Sequence, residues 1–201
     1  MIQLSRRTVV LGGAAASMIG GFCPCRGRGA DSARPSLPIP PELRANPEGM
    51  VALDARPGSM RFRGDYDTAT CGINGPYLGP AVRVRRGEKI IARVSNGIPE
   101  NITMHWHGLI IPGVADGGPH NVIPPGKRWQ TELSIDQPAA TLWFHPHYYP
   151  LTAQQVIKGL AGLLIVEDDE VARLPLPSRW GIDDIPLVLQ DWRFAPNGQF
   201  F

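Results

Sequence analysis

Apolar and polar residues alternate with a period of two along much of the chain. The segment 129–136, WQTELSID, alternates between two faces: one carries Trp129, Thr131, Leu133 and Ile135, and the other carries Gln130, Glu132 and Ser134. Two further runs, AVRVRR at 81–86 and EKIIARVS at 88–95, are separated by Gly87. Alternation of this kind is typical of half-buried β-strands, and a glycine between two such runs indicates a turn. The pattern therefore predicts strands joined by short turns.

Most of the remaining regular segments also have strand character. Further strands are predicted at 103–109, 141–147, 162–167 and 186–192. Only two short helices are predicted, at 153–158 and 169–174. The chain contains 23 glycines and 21 prolines, which suits many turns better than long helices. Together these features predict an all-β domain, specifically a β-sandwich.

The N-terminal residues form a different kind of segment. Arg6 and Arg7 precede an uncharged, largely apolar run at 8–22, which is too short and too rich in glycine for a membrane span. This composition predicts an export signal over residues 1–33, and the paired arginines resemble the twin-arginine type. A Pro-rich linker is predicted at 34–47. The expected location is the periplasm, with no membrane span once the signal is removed.

Charge and cysteine content exclude two classes of protein. The chain has 20 basic and 18 acidic residues, so its net charge of +2 gives no electrostatic reason to expect nucleic acid as a partner. Cys23 and Cys25 fall in the predicted signal, which leaves only Cys71 in the mature chain. An intrachain disulfide is therefore not expected.

Two pairs of histidines carry the candidate chemistry. His105 and His107 are separated by one residue in MHWHGL, and His145 and His147 are separated by one residue in WFHPH. Residues i and i+2 of a strand project to the same face, so each pair directs two imidazoles the same way. Five histidines placed at random in 201 residues predict about 0.12 pairs at this spacing, whereas the chain has two. The pairs therefore predict a metal site.

Ligand type alone does not choose the metal. Imidazole suits zinc, copper, nickel and iron. The four histidines could close one tetrahedral zinc site, but rigid strand pairs hold their ring tips several ångström apart, which suits two or three neighbouring ions better.

The chain resembles the multicopper oxidase family, and is closest to the bacterial periplasmic cuprous oxidases and laccase-like enzymes. The similar segments are INGPYLGPAVRVRRGEKI at 73–90, NITMHWHGLIIPGVADGGP at 101–119, IPPGKRWQTELSIDQPAATLWFHPH at 123–147 and GLAGLLIVEDDE at 159–170. The resemblance implies a cupredoxin-like (plastocyanin-like) Greek-key β-sandwich over residues 48–170. In the family, four HxH motifs enclose a trinuclear copper cluster that reduces dioxygen to water.

The resemblance also assigns roles to individual residues. It implies that His105 is a ligand of the type 2 copper, and that His107, His145 and His147 are ligands of the type 3 pair. Asp116 matches the acidic residue that helps to deliver protons to the cluster, although an Asp before two glycines is also what a turn requires. His120 has no counterpart among the family's ligands and is expected on a surface loop.

The rest of the family's pattern is absent from this chain. The type 1 copper site and the other two histidine pairs are missing, and Cys71 cannot supply the thiolate because it precedes the first predicted strands. Residues 171–201 are interpreted as a linker and the first strand of a missing second domain, so the missing C-terminal cupredoxin domains are expected partners. The reducing substrate is Cu(I) or a phenol-like donor in the family.

Three functions remain open from the sequence. The first is the N-terminal part of an oxidase, inactive by itself. The second is a stand-alone copper-binding or storage module, and the third is a zinc-binding domain without redox activity.

Overall fold

Nine β-strands form the framework of this computed structural model, which describes residues 36–201. The strands are β1 (Glu42–Leu43), β2 (Met50–Arg63), β3 (Tyr66–Ile73), β4 (Ala81–Arg85), β5 (Lys89–Asn96), β6 (His105–His107), β7 (Arg128–Ser134), β8 (Ala140–His145) and β9 (Gly162–Glu167). One short helix, α1 (Thr152–Ile157), and one 3₁₀ turn (Val171–Arg173) complete the regular structure. The predicted export signal at 1–33 lies outside the described residues.

The strands form two sheets that share one core. The five-stranded sheet has the order β1-β4-β9-β8-β6, and the four-stranded sheet has the order β3-β2-β5-β7. Parallel pairs (β1 with β4, β4 with β9, β2 with β5) occur beside antiparallel ones. Inward-facing side chains of both sheets pack into a single hydrophobic cluster, which includes Leu53, Val94, Leu133, Phe144 and Leu164. The predicted β-sandwich is therefore present.

The alternating segments behave as predicted. β4 and β5 are separated by the turn at Gly87, which has a φ of 89°. Along β7 the residues alternate between exposed and more buried positions, ending with Leu133 in the core. Because β7 pairs antiparallel with β5, its apolar face meets the same core as that of β5.

The structure adds strands that the pattern did not predict. β2 and β3 form a long antiparallel pair, and Cys71 lies within β3 rather than ahead of the first strand. The run in β2 is interrupted by Pro57 and Gly58, residues that ordinarily argue against a strand. Both lie in the part of β2 that pairs with β3 but not with β5, so only one neighbouring strand requires hydrogen bonds from their backbone. β1 falls inside the predicted Pro-rich linker at 34–47 and pairs with β4.

Two predicted elements near the C-terminus are wrong. Residues 186–192 have strand-like alternation, but no strand is assigned there, because none of the nine described strands pairs with them. The helix predicted at 169–174 is a single 3₁₀ turn. The helix predicted at 153–158 is confirmed as α1. Within residues 36–201, no helix is long and apolar enough to cross a membrane.

Candidate metal centre

The two histidine pairs lie on neighbouring strands. β6 is an edge strand, and it pairs antiparallel with β8 so that His105 is opposite His145. β8 ends at His145, and Pro146 follows immediately, where a missing backbone donor breaks no ladder hydrogen bond. The register therefore brings both pairs to the same end of the same sheet.

All four imidazole rings form one cluster. The ring centre of His105 lies 5.6 Å from that of His107, 5.5 Å from that of His145 and 5.4 Å from that of His147. The rings of His145 and His147 are 6.2 Å apart. His145 is buried, His105 is half-buried, and His107 and His147 are exposed. The cluster therefore has a buried side and an open side.

The opposite face of these strands anchors them in the core. Trp106 and Phe144 are cross-strand partners, both are fully buried, and their ring centres are 6.0 Å apart. Because side chains alternate along a strand, burial of these two residues turns the histidines to the other face. Hydrophobic packing on one face thus fixes the face that carries the histidines on the other.

Hydrogen bonds determine which nitrogens are free. Nδ1 of His105 lies 3.0 Å from the carbonyl oxygen of Asp116, and Nδ1 of His145 lies 2.8 Å from that of Pro146. A carbonyl oxygen only accepts, so both Nδ1 atoms carry the proton and donate. The Nε2 atom of each ring is left with its lone pair, which is how ligand histidines are usually held.

The ring nitrogens of three of the histidines converge at a spacing that suits a metal ion. Nδ1 of His107 lies 3.2 Å from Nε2 of His145. Two imidazole nitrogens bound at about 2.0 Å to one tetrahedral ion lie about 3.3 Å apart. Ring nitrogens of His105, His107 and His145 all lie within 4.8 Å of one another. The donor set therefore fits a transition metal such as copper.

His147 stands apart from that triad. Its backbone N–H donates to Oγ1 of Thr103 across 2.7 Å, and Thr103 is fully buried. Its ring is exposed and near His105, but it is not among the three histidines whose nitrogens converge. The structure thus brings all four predicted ligands into one cluster, with three of them close enough for one ion.

The environment of His145 disfavours its protonated form. Burial lowers the pKa of His145 to about 4. The other three histidines lower this pKa further, whereas the hydrogen bond to the carbonyl of Pro146 raises it. A neutral imidazole is the form that binds metal, so His145 is available as a ligand over a wide pH range.

Asp116 contacts the cluster through His105. Oδ2 of Asp116 lies 3.2 Å from Nδ1 of His105, beside the carbonyl contact of the same residue. The next residue, Gly117, has a φ of 68°, and a Cβ there would lie 1.7 Å from the carbonyl oxygen of Met104. The glycine therefore forms the predicted turn and also lets the loop approach β6 closely enough for Asp116 to reach His105.

The other two residues considered from the sequence lie outside the cluster. His120 is exposed on the loop before β7, and its Nε2 donates to the carbonyl oxygen of Gly113, 3.0 Å away. This position agrees with the prediction of a surface-loop histidine. Cys71 is a half-buried free thiol, and burial raises its pKa.

Three residues at the site were not identified from the sequence. Trp143 stacks on His145, with ring centres 3.9 Å apart, Thr103 holds the backbone of His147, and Gly117 permits the loop approach. Trp143 lies two residues before His145 on β8 and so shares its face, which is a pattern that could have identified it, whereas Thr103 precedes β6 and has no such signal.

Comparison with known proteins identifies the family. The family model described as multicopper oxidase matches residues 54–171, and the chain belongs to this family. Among relatives, it is 42% identical to the multicopper oxidase mco of Staphylococcus aureus over 78% of its length. It is 38% identical to the cell division protein FtsP of Xenorhabdus nematophila over 98% of its length.

Solved structures agree with this assignment. The laccase-like multicopper oxidase CueO of the lignin-degrading bacterium Ochrobactrum sp. superimposes with a TM-score of 0.78 at 46% identity, covering 82% of this chain. A laccase from Pediococcus acidilactici gives the same TM-score at 38% identity. The predicted cupredoxin-like fold is confirmed. The chain spans 41% of the FtsP relative, 35% of mco and 37% of each of these two structures.

Proposed function

We propose that this chain is the N-terminal part of a copper-dependent oxidase and supplies half the histidine ligands of a trinuclear copper cluster. The observation that carries the proposal is the convergence of ring nitrogens from His105, His107 and His145 within 4.8 Å. His147, 5.4 Å from His105 between ring centres, extends the cluster beyond what one ion needs. Four rings spread in this way favour several neighbouring ions over a single tetrahedral zinc.

Each histidine has a proposed place in that cluster. His105 would hold the type 2 copper, and His107, His145 and His147 would hold the type 3 pair. Bound copper would supply the redox chemistry, in which electrons from Cu(I) or a phenol-like donor reduce dioxygen to water. The remaining ligands and the type 1 copper site would come from further cupredoxin domains, since the family members compared are more than twice as long. The protein would work in the periplasm after export by the twin-arginine route.

Asp116 is proposed to manage protons beside the cluster. Its backbone carbonyl accepts the Nδ1 proton of His105, which orients the ring and keeps Nε2 available, and its carboxylate lies 3.2 Å from the same nitrogen. About a third of its side chain is exposed, so it can also exchange protons with solvent. A carboxylate in contact with both water and a ligand histidine can pass protons inward, as reduction of dioxygen requires.

The test is copper loading with a matched control. The chain is titrated with Cu(II), metal content is measured, and electron paramagnetic resonance is recorded for wild type, for a variant carrying His105→Ala with His145→Ala, and for His120→Ala. We expect copper to be lost from the double variant and retained by His120→Ala, whose ring lies outside the cluster. Equal copper binding by all three proteins would reject the site, and a wild-type preference for zinc would favour the zinc-binding domain.

Catalysis requires a second measurement. A stand-alone copper-binding or storage module binds copper but does not consume dioxygen. Oxygen uptake with Cu(I) or a phenolic donor, measured for the chain alone and for a longer form with further cupredoxin domains, separates the alternatives. We expect uptake only in the longer form. The Ochrobactrum relative is described as having oxidase activity towards lignin model compounds, which makes phenolic donors a sensible first choice.

A role in cell division is the second candidate, because similarity to FtsP extends over 98% of the chain. Deletion strains would be scored for copper sensitivity and for cell length. If the double variant at His105 and His145 restored normal division, the function would not depend on the histidine cluster. The cluster of four histidine rings favours the copper function.

A further inference from the structure

One indole contacts ligands from both histidine pairs. Trp143 precedes His145 by two residues on β8, and their ring centres are 3.9 Å apart with the planes inclined by 25°. Trp143 is also the cross-strand partner of His107, with ring centres 5.1 Å apart and planes inclined by 34°. Along the strand and across it, the same ring therefore lies beside two proposed ligands.

These two ligands are the ones whose nitrogens approach most closely. The contact between Nδ1 of His107 and Nε2 of His145, at 3.2 Å, depends on the orientation of both ring planes. His145 is further held by its bond to the carbonyl of Pro146. Among the described residues, no protein group other than His145 forms a hydrogen bond to the ring of His107, and the nearest aromatic ring to it is that of Trp143.

The other side of Trp143 does not rest on a ligand. The indole is half-buried and forms part of the wall of an apolar cavity of about 430 Å³, together with Tyr77, Ala161 and Gly162. No other side chain lining the cavity is itself stacked on a histidine of the cluster.

On these contacts, and resting on the copper site proposed above, we propose that Trp143 is a positioning residue that sets the ring planes of His107 and His145 and thereby the affinity for copper. An imidazole bound to a cation carries part of its positive charge, and the face of an indole is the most favourable aromatic surface for such a charge. Stacking therefore stabilises the metal-bound form more than the free form. Aromatic pairs of this kind correspond to about a three- to tenfold change in affinity.

Three variants test this role. Trp143→Leu removes the aromatic face, Trp143→Phe keeps a smaller one, and Trp180→Leu removes a tryptophan that stacks on Arg83 away from the histidines. Cu(II) affinity is measured by competition with a chelator, and the copper hyperfine splitting by electron paramagnetic resonance. We expect about tenfold weaker binding and an altered spectrum for Trp143→Leu, a smaller change for Trp143→Phe, and wild-type behaviour for Trp180→Leu.

The readouts separate positioning from packing. A residue that only fills space would lower stability in urea without moving the affinity or the spectrum, and that result would overturn the proposal. If wild type itself binds no copper, the proposed function fails; if wild type binds and Trp143→Leu binds equally with the same spectrum, only the role of Trp143 fails.

A fluorescence measurement covers the case in which Trp143→Leu does not fold. The emission of Trp143 is obtained as the difference between wild type and Trp143→Phe, with and without Cu(II). Because the indole stacks on a proposed ligand, we expect its emission to be almost fully quenched by one equivalent of Cu(II). Unquenched emission would show that the bound ion is remote from Trp143 and would overturn the proposal.

Discussion

Protonation of His145 makes the stability of the metal-free protein depend on pH. In the folded chain the pKa of His145 is lowered to about 4, chiefly by burial, while an unfolded histidine titrates near 6.5. Between these values the unfolded chain binds a proton that the folded chain does not, so unfolding becomes easier as pH falls. A difference of about 2.5 units corresponds to about 3 kcal/mol, fully present above pH 6.5 and lost by pH 4.

The measurement compares slopes rather than absolute stabilities. Urea unfolding of the chelator-treated protein is followed by tryptophan fluorescence at intervals from pH 7.5 to pH 4, for wild type, His145→Gln and His120→Gln. Carboxylates also titrate in this range, but they do so in all three proteins. We expect wild type and His120→Gln to lose about 3 kcal/mol more than His145→Gln between pH 7 and pH 4.

Parallel curves for wild type and His145→Gln would refute this reasoning. They would mean that the buried imidazole accepts its proton in the folded chain as readily as in water. Burial would then not keep the imidazole of His145 neutral between pH 6.5 and pH 4.

Two further predictions concern residues that support the site. Gly117→Ala is expected to lose well over 1 kcal/mol of unfolding free energy, because its Cβ would meet the carbonyl oxygen of Met104 at 1.7 Å, and its φ is 68°. Gly126→Ala, at a similar φ but with no atom within 4 Å, is the control, and equal losses in urea unfolding would contradict the steric argument. Thr103→Val removes the acceptor for the backbone N–H of His147 and is expected to cost about 1–3 kcal/mol. Thr103→Val should also weaken Cu(II) binding in a chelator competition. Unchanged stability would show that another group accepts the hydrogen bond of the His147 N–H.

Local pattern was sufficient for strands whose faces differ clearly in polarity. β4, β5 and β7 combine clean alternation with turn residues at their ends, so their sequence alone reveals them. β2 was missed because Gly58 interrupts it, and the reason for that glycine is tertiary. A Cβ at Gly58 would lie 2.0 Å from the carbonyl oxygen of Pro76, where a distant loop crosses the strand. Such a crossing leaves no mark in local periodicity.

The opposite error at 186–192 has the same origin. Alternation there satisfies the rule for a strand, but a strand also requires a neighbour that offers its backbone. Leu189 is 94% exposed, and no described strand lies alongside. Periodicity reports which side chains can share a face, and it does not report whether a partner is present to accept the hydrogen bonds.

At the site, the sequence revealed the four histidines but not the residues that hold their rings in place. The HxH spacing identified four histidines because a strand places residues i and i+2 on one face. The convergence of only three of them could not be read from it, because that depends on rotamers and on the loop at Asp116. The stacking of Trp143 likewise depends on pairing between β6 and β8.

The antiparallel register of β6 and β8 has a consequence for insertions and deletions. His105 faces His145, and at the adjacent pair of the ladder Trp106, one residue later on β6, faces Phe144, one residue earlier on β8. Removal of a single residue within either strand would exchange the two faces, sending imidazoles into the apolar core and aromatic rings into solvent. The connection between the strands can change length without this effect. Changing which ion the proposed centre prefers therefore calls for replacing side chains at fixed positions rather than for changing the length of either strand.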